Sequence, residues 1–262
     1  MFETEIANYL NRSGRDGIDL KAVLFDMDGV LFDSMPYHAA SWHAVMERHG
    51  LHLSREEAYL HEGRTGASTI NIVYRRQYGT EAPVDLIDEI YGEKTREFST
   101  YPEPDPMPGA DRLLASVVSD GLVPVLVTGS GQRTLLQRLS LAYPGVFQPR
   151  YMVTAFDVKH GKPDPEPYLM GLRKAGVQPG EAVVVENAPI GVRAGVAAGV
   201  FTIAVNTGPL DAQVLYDAGA DLLFPSMSAL ADAWSELRRA LSAVRGRGGD
   251  FPPSGRYGRS EA

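Results

Sequence analysis

A chain of 262 residues can bury one large core or two modest ones, and its net charge of −8 argues against nucleic-acid and membrane-surface partners. No apolar run is long enough to cross a bilayer, and the absence of cysteine excludes disulfides, thiolate catalysis and cysteine-ligated metals. The N-terminus lacks the basic and apolar regions of a secretory signal, so we expect a cytoplasmic protein.

The first half of the chain is predicted to contain one strand followed by a block of helices. A short helix lies in an N-terminal extension, residues 1–20. The apolar run Ala22–Phe25 follows and is typical of a strand covered on both faces of a parallel sheet. Helical periodicity then predicts a helical cap domain over residues 36–104, which ends in a stiff connector with four prolines in residues 102–108.

The second half of the chain alternates between predicted strands and helices. The predicted strands are Leu122–Val127, Met152–Ala155, Ala182–Val185, Phe201–Val205 and Leu222–Leu223. This alternation predicts an α/β fold with a doubly wound parallel sheet, built from residues 21–35 and 105–244. Residues 245–262 are rich in Gly, Pro, Ser and Arg, and we expect them to be a disordered tail.

Two carboxylates, Asp26 and Asp28, directly follow the first predicted strand. Open α/β sheets bind ligands beyond the carboxyl ends of their strands. Neighbouring buried carboxylates repel each other and resist desolvation, so their presence indicates a bound cation or a reaction that requires them. One carboxylate can attack phosphorus while the second transfers a proton, and Gly29 permits the tight turn between them. The alternatives are an Asx turn and a calcium loop, although Val30 and Leu31 break the calcium pattern.

Small polar residues follow the next core strand, at Thr128-Gly129-Ser130, and Lys162 precedes a predicted helix. A hydroxyl and successive backbone N–H groups at a strand-to-helix turn form a concave site for anions. A lysine before a helix N-terminus adds positive charge where phosphoryl oxygens would lie. Each feature also has an ordinary interpretation, as a simple turn and as a solvated surface lysine, so neither identifies a site alone.

An acid and an amide, Glu186 and Asn187, end the strand Ala182–Val185. Hard oxygen ligands at a strand end suit Mg²⁺, which prefers one or two carboxylates together with phosphate and water. Asn187 could alternatively cap the helix that follows it, and the two interpretations are compatible. The pair therefore indicates a possible metal site next to the first two carboxylates.

These four motifs, in this order and each at or just past a successive strand end, resemble the haloacid dehalogenase superfamily of phosphotransferases. The resemblance extends from Lys21 to about Trp234, and the inserted helices look like the small cap of the β-phosphoglucomutase-like branch. It implies that Asp26 is the nucleophile and Asp28 the general acid/base. It also implies that Thr128, with Gly129 and Ser130 beside it, holds the transferred phosphoryl group. Finally, it implies that Lys162 neutralises phosphoryl charge and orients Asp26.

The resemblance further implies a Mg²⁺ cofactor, bound by the Asp26 carboxylate, the Asp28 backbone carbonyl, Glu186 and Asn187. Many cap-bearing relatives carry a second acid where this chain has Asn187, so one negative charge is missing from the metal site. We hypothesise that Glu62 reaches the metal shell when the cap closes, directly or through water. The alternative is that Glu62 is a solvated acid at a helix end.

Three further residues, His38, Arg64 and Lys94, are candidates to face the cleft from the cap. Arg64 and Lys94 would suit a small, highly charged substrate. His38 has an alternative role, because it could simply pack beside Trp42 at helical spacing. These residues therefore enter the predicted site as substrate-binding groups, together with Glu62, Gly129 and Ser130.

Several stretches are also similar to bacterial haloacid dehalogenase-type inorganic pyrophosphatases. They are Ser34–His38, His61–Asn71, Glu186–Pro189 and Asn206–Pro209. This similarity predicts an enzyme that hydrolyses pyrophosphate, and a monomer is the default expectation for a capped member of the superfamily. The alternatives are a phosphosugar phosphatase, a β-phosphoglucomutase-like mutase or, less favoured, a non-catalytic phosphate-binding protein.

Overall fold

The computed structural model describes residues 1–130 and 133–246, with residues 133–136 described by their backbone alone. Within these residues six parallel strands form one sheet in the order β3-β2-β1-β4-β5-β6. The strands are β1 (Ala22–Phe25), β2 (Val123–Val127), β3 (Met152–Val153), β4 (Ala182–Glu186), β5 (Phe201–Val205) and β6 (Leu222–Phe224). The predicted α/β class and parallel sheet are therefore confirmed.

The central strand β1 brings the predicted motifs together. It pairs in parallel with β2 on one side and β4 on the other, and Leu24 lies opposite Val125 and Val184. All four residues of β1 are buried, because helices cover both faces of the sheet. The carboxyl ends of β2, β1 and β4 consequently lie side by side at one edge, which is where open α/β sheets bind ligands.

Pro124 lies inside strand β2, where a missing N–H would ordinarily break the ladder. β3 pairs only with Leu126 and Val127, at the far end of β2. The prediction of a longer β3, over residues 152–155, was wrong, since the strand ends at Val153. Pro124 is tolerated because no β3 residue is registered against it.

The described part of the chain contains eleven α-helices. They are α1 (Glu3–Ser13), α2 (Met35–Arg48), α3 (Arg55–Leu60), α4 (Gly66–Tyr78), α5 (Val84–Phe98), α6 (Ala110–Ser119), α7 (Arg133–Ala142), α8 (Glu166–Ala175), α9 (Pro189–Ala197), α10 (Ala212–Asp217) and α11 (Met227–Ala243). None of these helices is both long and apolar enough to span a membrane.

The cap helices, α2–α5, pack around a hydrophobic core of their own that includes Val45, Ile70 and Ile90. The turn between α3 and α4, residues 61–65, is called the cap loop below. Its end is fixed by Thr65, which caps α4 by accepting a hydrogen bond from the Ser68 N–H at 3.3 Å. This hydrogen bond fixes the point at which the cap loop ends and α4 begins.

Residues near both ends of the described chain form hydrogen bonds with distant parts of the sequence. In the N-terminal extension, Tyr9 is buried and its hydroxyl donates to the Gly199 carbonyl at 3.0 Å. The predicted tail, residues 245–262, lies outside the described residues from residue 247 onward. Gly246 donates its N–H to the Asp16 carbonyl at 2.9 Å, so the described structure reaches two residues into that tail.

Candidate active site

Lys162 links the two strand-end acids at the centre of the site. Its ammonium lies 2.5 Å from Asp26 Oδ1 and 2.6 Å from Glu186 Oε1, and it donates to the Val127 carbonyl at 3.1 Å. The Lys162 side chain is 1% exposed, so these ion pairs lie in a desolvated environment. The adjacent strands β1, β2 and β4 thus bring together residues that are far apart in the sequence.

Glu186 is held by groups that the sequence did not identify. The Tyr168 hydroxyl donates to Glu186 Oε1 at 2.7 Å, and the N–H groups of Asn187 and Ala188 donate to Oε2 at 3.0 and 3.3 Å. A Cβ on Gly191 would lie 1.9 Å from Glu186 Oε1, so only glycine leaves room for the carboxylate at the start of α9. Tyr168 was missed because an aromatic residue on a helix ordinarily indicates core packing.

Asp28 is held by residues at the start of the cap. Its Oδ1 accepts a hydrogen bond from Ser34 Oγ at 2.5 Å and lies 3.3 Å from His38 Nε2. Burial alone would raise the pKa of Asp28, but His38 and Ser34 together keep that pKa below its ordinary value. Gly29 makes the turn beside it with a φ of 80°, and a Cβ there would collide with the Asn187 amide.

His38 and Lys94 form a pair within the cap. The Lys94 ammonium donates to His38 Nδ1 at 2.7 Å. The His38 ring stacks on Phe98 of another cap helix, with ring centroids 4.1 Å apart, a partner that helical spacing alone did not predict. Trp42 instead faces Lys94, whose ammonium lies 5.3 Å from the ring centre. Burial lowers the pKa of Lys94 from 10.5 to about 8.

Glu62 points from the cap loop toward Asp26, Asp28 and Glu186. These four acids are called the acidic cluster below. Glu62 is 9% exposed, and its Oε2 accepts a hydrogen bond from Asn187 Nδ2 at 2.9 Å. The alternative of a solvated acid was therefore wrong. The alternative that Asn187 caps α9 was also wrong, because Ala188 occupies the N-cap position and the Asn187 amide turns to Glu62 instead. Burial, with Asp26 and Asp28 nearby, raises the pKa of Glu62 well above its ordinary value.

The acidic cluster fits a hard divalent cation. Glu62 Oε1 and Asn187 Oδ1 are both buried without a hydrogen-bond partner among the described residues. Buried oxygens of this kind ordinarily have a partner, and carboxylate and amide oxygens are ligands that Mg²⁺ accepts. Burial, together with Glu186 and Asp28, also raises the pKa of Asp26 to about 8, as expected for a carboxylate that needs additional positive charge.

The turn after β2 forms the wall between the core and the cap. Thr128 Oγ1 accepts a hydrogen bond from the Ser130 N–H at 3.0 Å, and Thr128 is buried. A Cβ on Gly129 would lie 2.9 Å from the Gly63 carbonyl oxygen of the cap loop. The cap loop therefore lies directly on this turn, and only a glycine allows so close an approach.

A cavity of about 80 Å³ lies between this turn and the cap. The predicted residues that line it are Asp26, Asp28, His38, Glu62, Arg64, Lys94, Thr128, Gly129 and Ser130. Arg64 Nε is buried and unpartnered within the described part of the chain. The cavity is also lined by His61 and Tyr91, which sequence reasoning missed because a lone histidine and an aromatic on a helix carry weak signals.

Comparison with known proteins places these observations in a family. Residues 20–199 match the family model of haloacid dehalogenase-like hydrolases. A solved structure from Bacteroides vulgatus, described as a candidate β-phosphoglucomutase, is 60% identical, with a TM-score of 0.89 over 92% of this chain and 98% of that chain.

Two curated relatives are phosphatases by name. Hexitol phosphatase A of Escherichia coli K12 is 34% identical over 209 residues, which is 79% of this chain and 91% of that protein. Glycerol-1-phosphate phosphohydrolase 2 of Saccharomyces cerevisiae is 31% identical over 79% of this chain and 82% of its own length. The chain therefore belongs to the haloacid dehalogenase-like hydrolase family.

Proposed function

We propose that the chain is a Mg²⁺-dependent phosphatase that works through an aspartyl-phosphate on Asp26. The observation that carries the proposal is the buried Lys162, which lies within hydrogen-bonding distance of both Asp26 and Glu186 at the carboxyl edge of the sheet. Asp26 attacks phosphorus and the bond to the leaving oxygen breaks, while Asp28 donates a proton to that oxygen. Asp28 then takes a proton from water, which attacks phosphorus, releases phosphate and restores the Asp26 carboxylate.

The surrounding residues supply the electrostatics of this reaction. Lys162 and the Thr128 hydroxyl would hold phosphoryl oxygens, and bound Mg²⁺ would offset the repulsion between a carboxylate and an anionic phosphoryl group. Asp28 rests as a carboxylate because Ser34 and His38 keep its pKa low. The approach of an anionic substrate raises that pKa, so Asp28 takes up a proton from solvent and can then donate it to the leaving oxygen.

We propose a small phosphorylated sugar or polyol as the substrate. The two phosphatases named above support this choice, whereas neither supports the pyrophosphate specificity that we expected from the sequence. The cavity is small and is lined by polar groups such as His61 and Arg64, which suits a short leaving group. We also propose, as expected from the sequence, that the protein acts as a monomer in the cytoplasm.

Pyrophosphate is retained as the second candidate because of two cations on the cap side of the cavity. Lys94 and Arg64 both line it and could bind the second phosphate of a small, highly charged substrate. The deciding experiment is phosphate release with Mg²⁺ from polyol phosphates, hexose phosphates and pyrophosphate, with conversion of glucose 1-phosphate to glucose 6-phosphate measured as the mutase arm. A higher kcat/KM for pyrophosphate than for every monoester would reverse our order.

Glu62 should contribute to Mg²⁺ binding. Replacing it by glutamine removes a buried carboxyl group beside Asn187 that can ionise when Mg²⁺ binds, so we expect the Mg²⁺ concentration that gives half-maximal activity to rise about tenfold. Mg²⁺ titration by calorimetry provides a readout independent of turnover. Glu56→Gln, at an exposed acid on the helix before the cap loop, is the matched control. Unchanged Mg²⁺ affinity and turnover in Glu62→Gln would refute this role.

Deprotonation of Lys94 should lower the activity of the enzyme at alkaline pH. The Lys94 pKa of about 8 lies below the ordinary 10.5, so the ammonium loses its proton as the pH rises through about 8. An anionic substrate then loses one attractive charge, and we expect kcat/KM to fall above that pH. Lys94→Arg keeps the charge to much higher pH and should move the decline upward. Identical pH profiles for Lys94→Arg and the wild type would contradict this assignment.

A further inference from the structure

A second cavity adjoins the first at the turn after β2. Its volume is about 120 Å³, and it is lined by Thr128, Gly129 and Lys162 on one side and by Thr65 and Lys159 on the other. Thr128 and Gly129 line both cavities. Thr128 and Gly129, two of the residues that would hold the transferred phosphoryl group, therefore form a wall that the two cavities share.

The cap loop touches the core between the two cavities. Gly63, which lines the first cavity, lies against Gly129, and a Cβ on Gly63 would be 3.2 Å from the Lys162 side chain. Thr65, two residues further on, lines the second cavity, where its methyl group would lie 3.2 Å from a Cβ on Gly161. The glycines allow this close approach, and the cap loop contributes residues to the walls of both cavities.

We propose that the second cavity is the route by which inorganic phosphate leaves, and enters as a product inhibitor, while the cap stays closed. The inference rests on the proposed function, in which the leaving group lies on the cap side of the phosphoryl group. That side is the first cavity, where Glu62 and His38 face the reacting groups. Phosphate left beside Thr128 and Lys162 therefore has a separate opening, with no need to pass the leaving group.

The charge at the second opening suits an anion. Lys159 is exposed. Its backbone N–H donates a hydrogen bond to the Glu166 carboxylate at 2.9 Å, which fixes the position of Lys159 in the loop. Lys162 lines the inner end of the same cavity. The exposed Lys159 would attract a phosphate dianion, and Lys162 would bind it at the place where the reaction leaves it. Ala155 and Val158 add small apolar walls between the lysines.

The test is to narrow the second cavity without touching the catalytic groups. Ala155→Phe places a larger side chain in the wall of the cavity and narrows it. Val158→Phe is a second narrowing variant in case the first folds poorly. Phe156→Trp is the matched control, because Phe156 is 82% exposed on the same loop and is absent from the described lining of the cavity. The probe is inorganic phosphate, mixed rapidly with the Mg²⁺-loaded full-length protein in the absence of substrate.

We expect the narrowing variants to slow both association and dissociation of phosphate about tenfold, while the Kd stays within about twofold of the wild-type value. During turnover they should release the leaving group at the wild-type rate in the first cycle and phosphate more slowly, so kcat falls and kcat/KM does not. Unchanged phosphate kinetics, or an equal slowing of phosphate and leaving group, would overturn the inference. A wild-type protein that binds phosphate but hydrolyses no phosphate ester or anhydride would instead refute the proposed function.

Discussion

Asp26→Asn should lower turnover by roughly 10⁴-fold, because an amide cannot form the acyl phosphate on which the proposed reaction depends. The asparagine oxygen can still accept the Lys162 hydrogen bond, so the loss is chemical and not structural. Phosphate release with Mg²⁺ on the best substrate measures it. Asp19→Asn, at an exposed position of the same core, should retain full activity and is the matched control. Mg²⁺-dependent turnover that survives in Asp26→Asn would contradict the covalent mechanism.

The stability of the same variant gives an independent readout. The pKa of Asp26 is raised from 3.8 to about 8, so the protonated carboxyl is favoured in the folded protein. The stabilisation from that proton is present at low pH and is lost as the pH rises through about 8. At pH 8.5 without Mg²⁺, Asp26→Asn should therefore unfold at the same or a higher urea concentration than the wild type. A clearly lower midpoint would contradict this account of the acidic cluster.

Lys162→Met should have the largest effect on stability. The substitution leaves the buried carboxylates Asp26 and Glu186 without their cation, and breaking a buried ion pair in this way typically costs about 3–5 kcal/mol of unfolding free energy. Urea unfolding without Mg²⁺ at pH 8.5, where Asp26 has lost its proton, measures the loss. Saturating Mg²⁺ should restore more stability to this variant than to the wild type, because it supplies positive charge to the same carboxylates.

Lys21→Met is the control for that comparison. Lys21 is 50% exposed and pairs with Asp19 and Glu181 at the surface, where such pairs contribute about 0–1 kcal/mol. Turnover should also separate the two variants, with a loss of roughly 10²–10³-fold for Lys162→Met and no loss for Lys21→Met. Equal stability of the two variants would contradict the idea that Lys162 balances the acidic cluster.

The position of the candidate site could be predicted from the sequence because of a property of parallel sheets. Asp26, Thr128 and Glu186 each follow or end a buried apolar run, and parallel strands present their carboxyl ends at one edge. The order of strands then makes β2, β1 and β4 neighbours. Only the tertiary structure could show that Lys162 reaches across from a loop to bond both acids.

The contacts between cap and core were harder to predict, because local patterns favoured other partners. Asn187 precedes a helix and Glu62 follows one, so each had a plausible local role. In the folded chain they bond each other across 125 positions of sequence. His38 is likewise four residues from Trp42, the spacing of neighbours on a helix, yet it stacks on Phe98 of another helix. Tertiary packing, which a single sequence does not reveal, decided all three cases.

In the proposed reaction a phosphoryl group is transferred to Asp26. The most direct measurement is mass spectrometry of the Mg²⁺-loaded protein after it has been mixed with its best substrate and quenched in acid within one turnover. Our account predicts one added phosphoryl group on the peptide that contains Asp26, and no such group in Asp26→Asn. Full substrate turnover in the wild type with no phosphorylated peptide at any quench time, or a phosphoryl group on another residue, would contradict it.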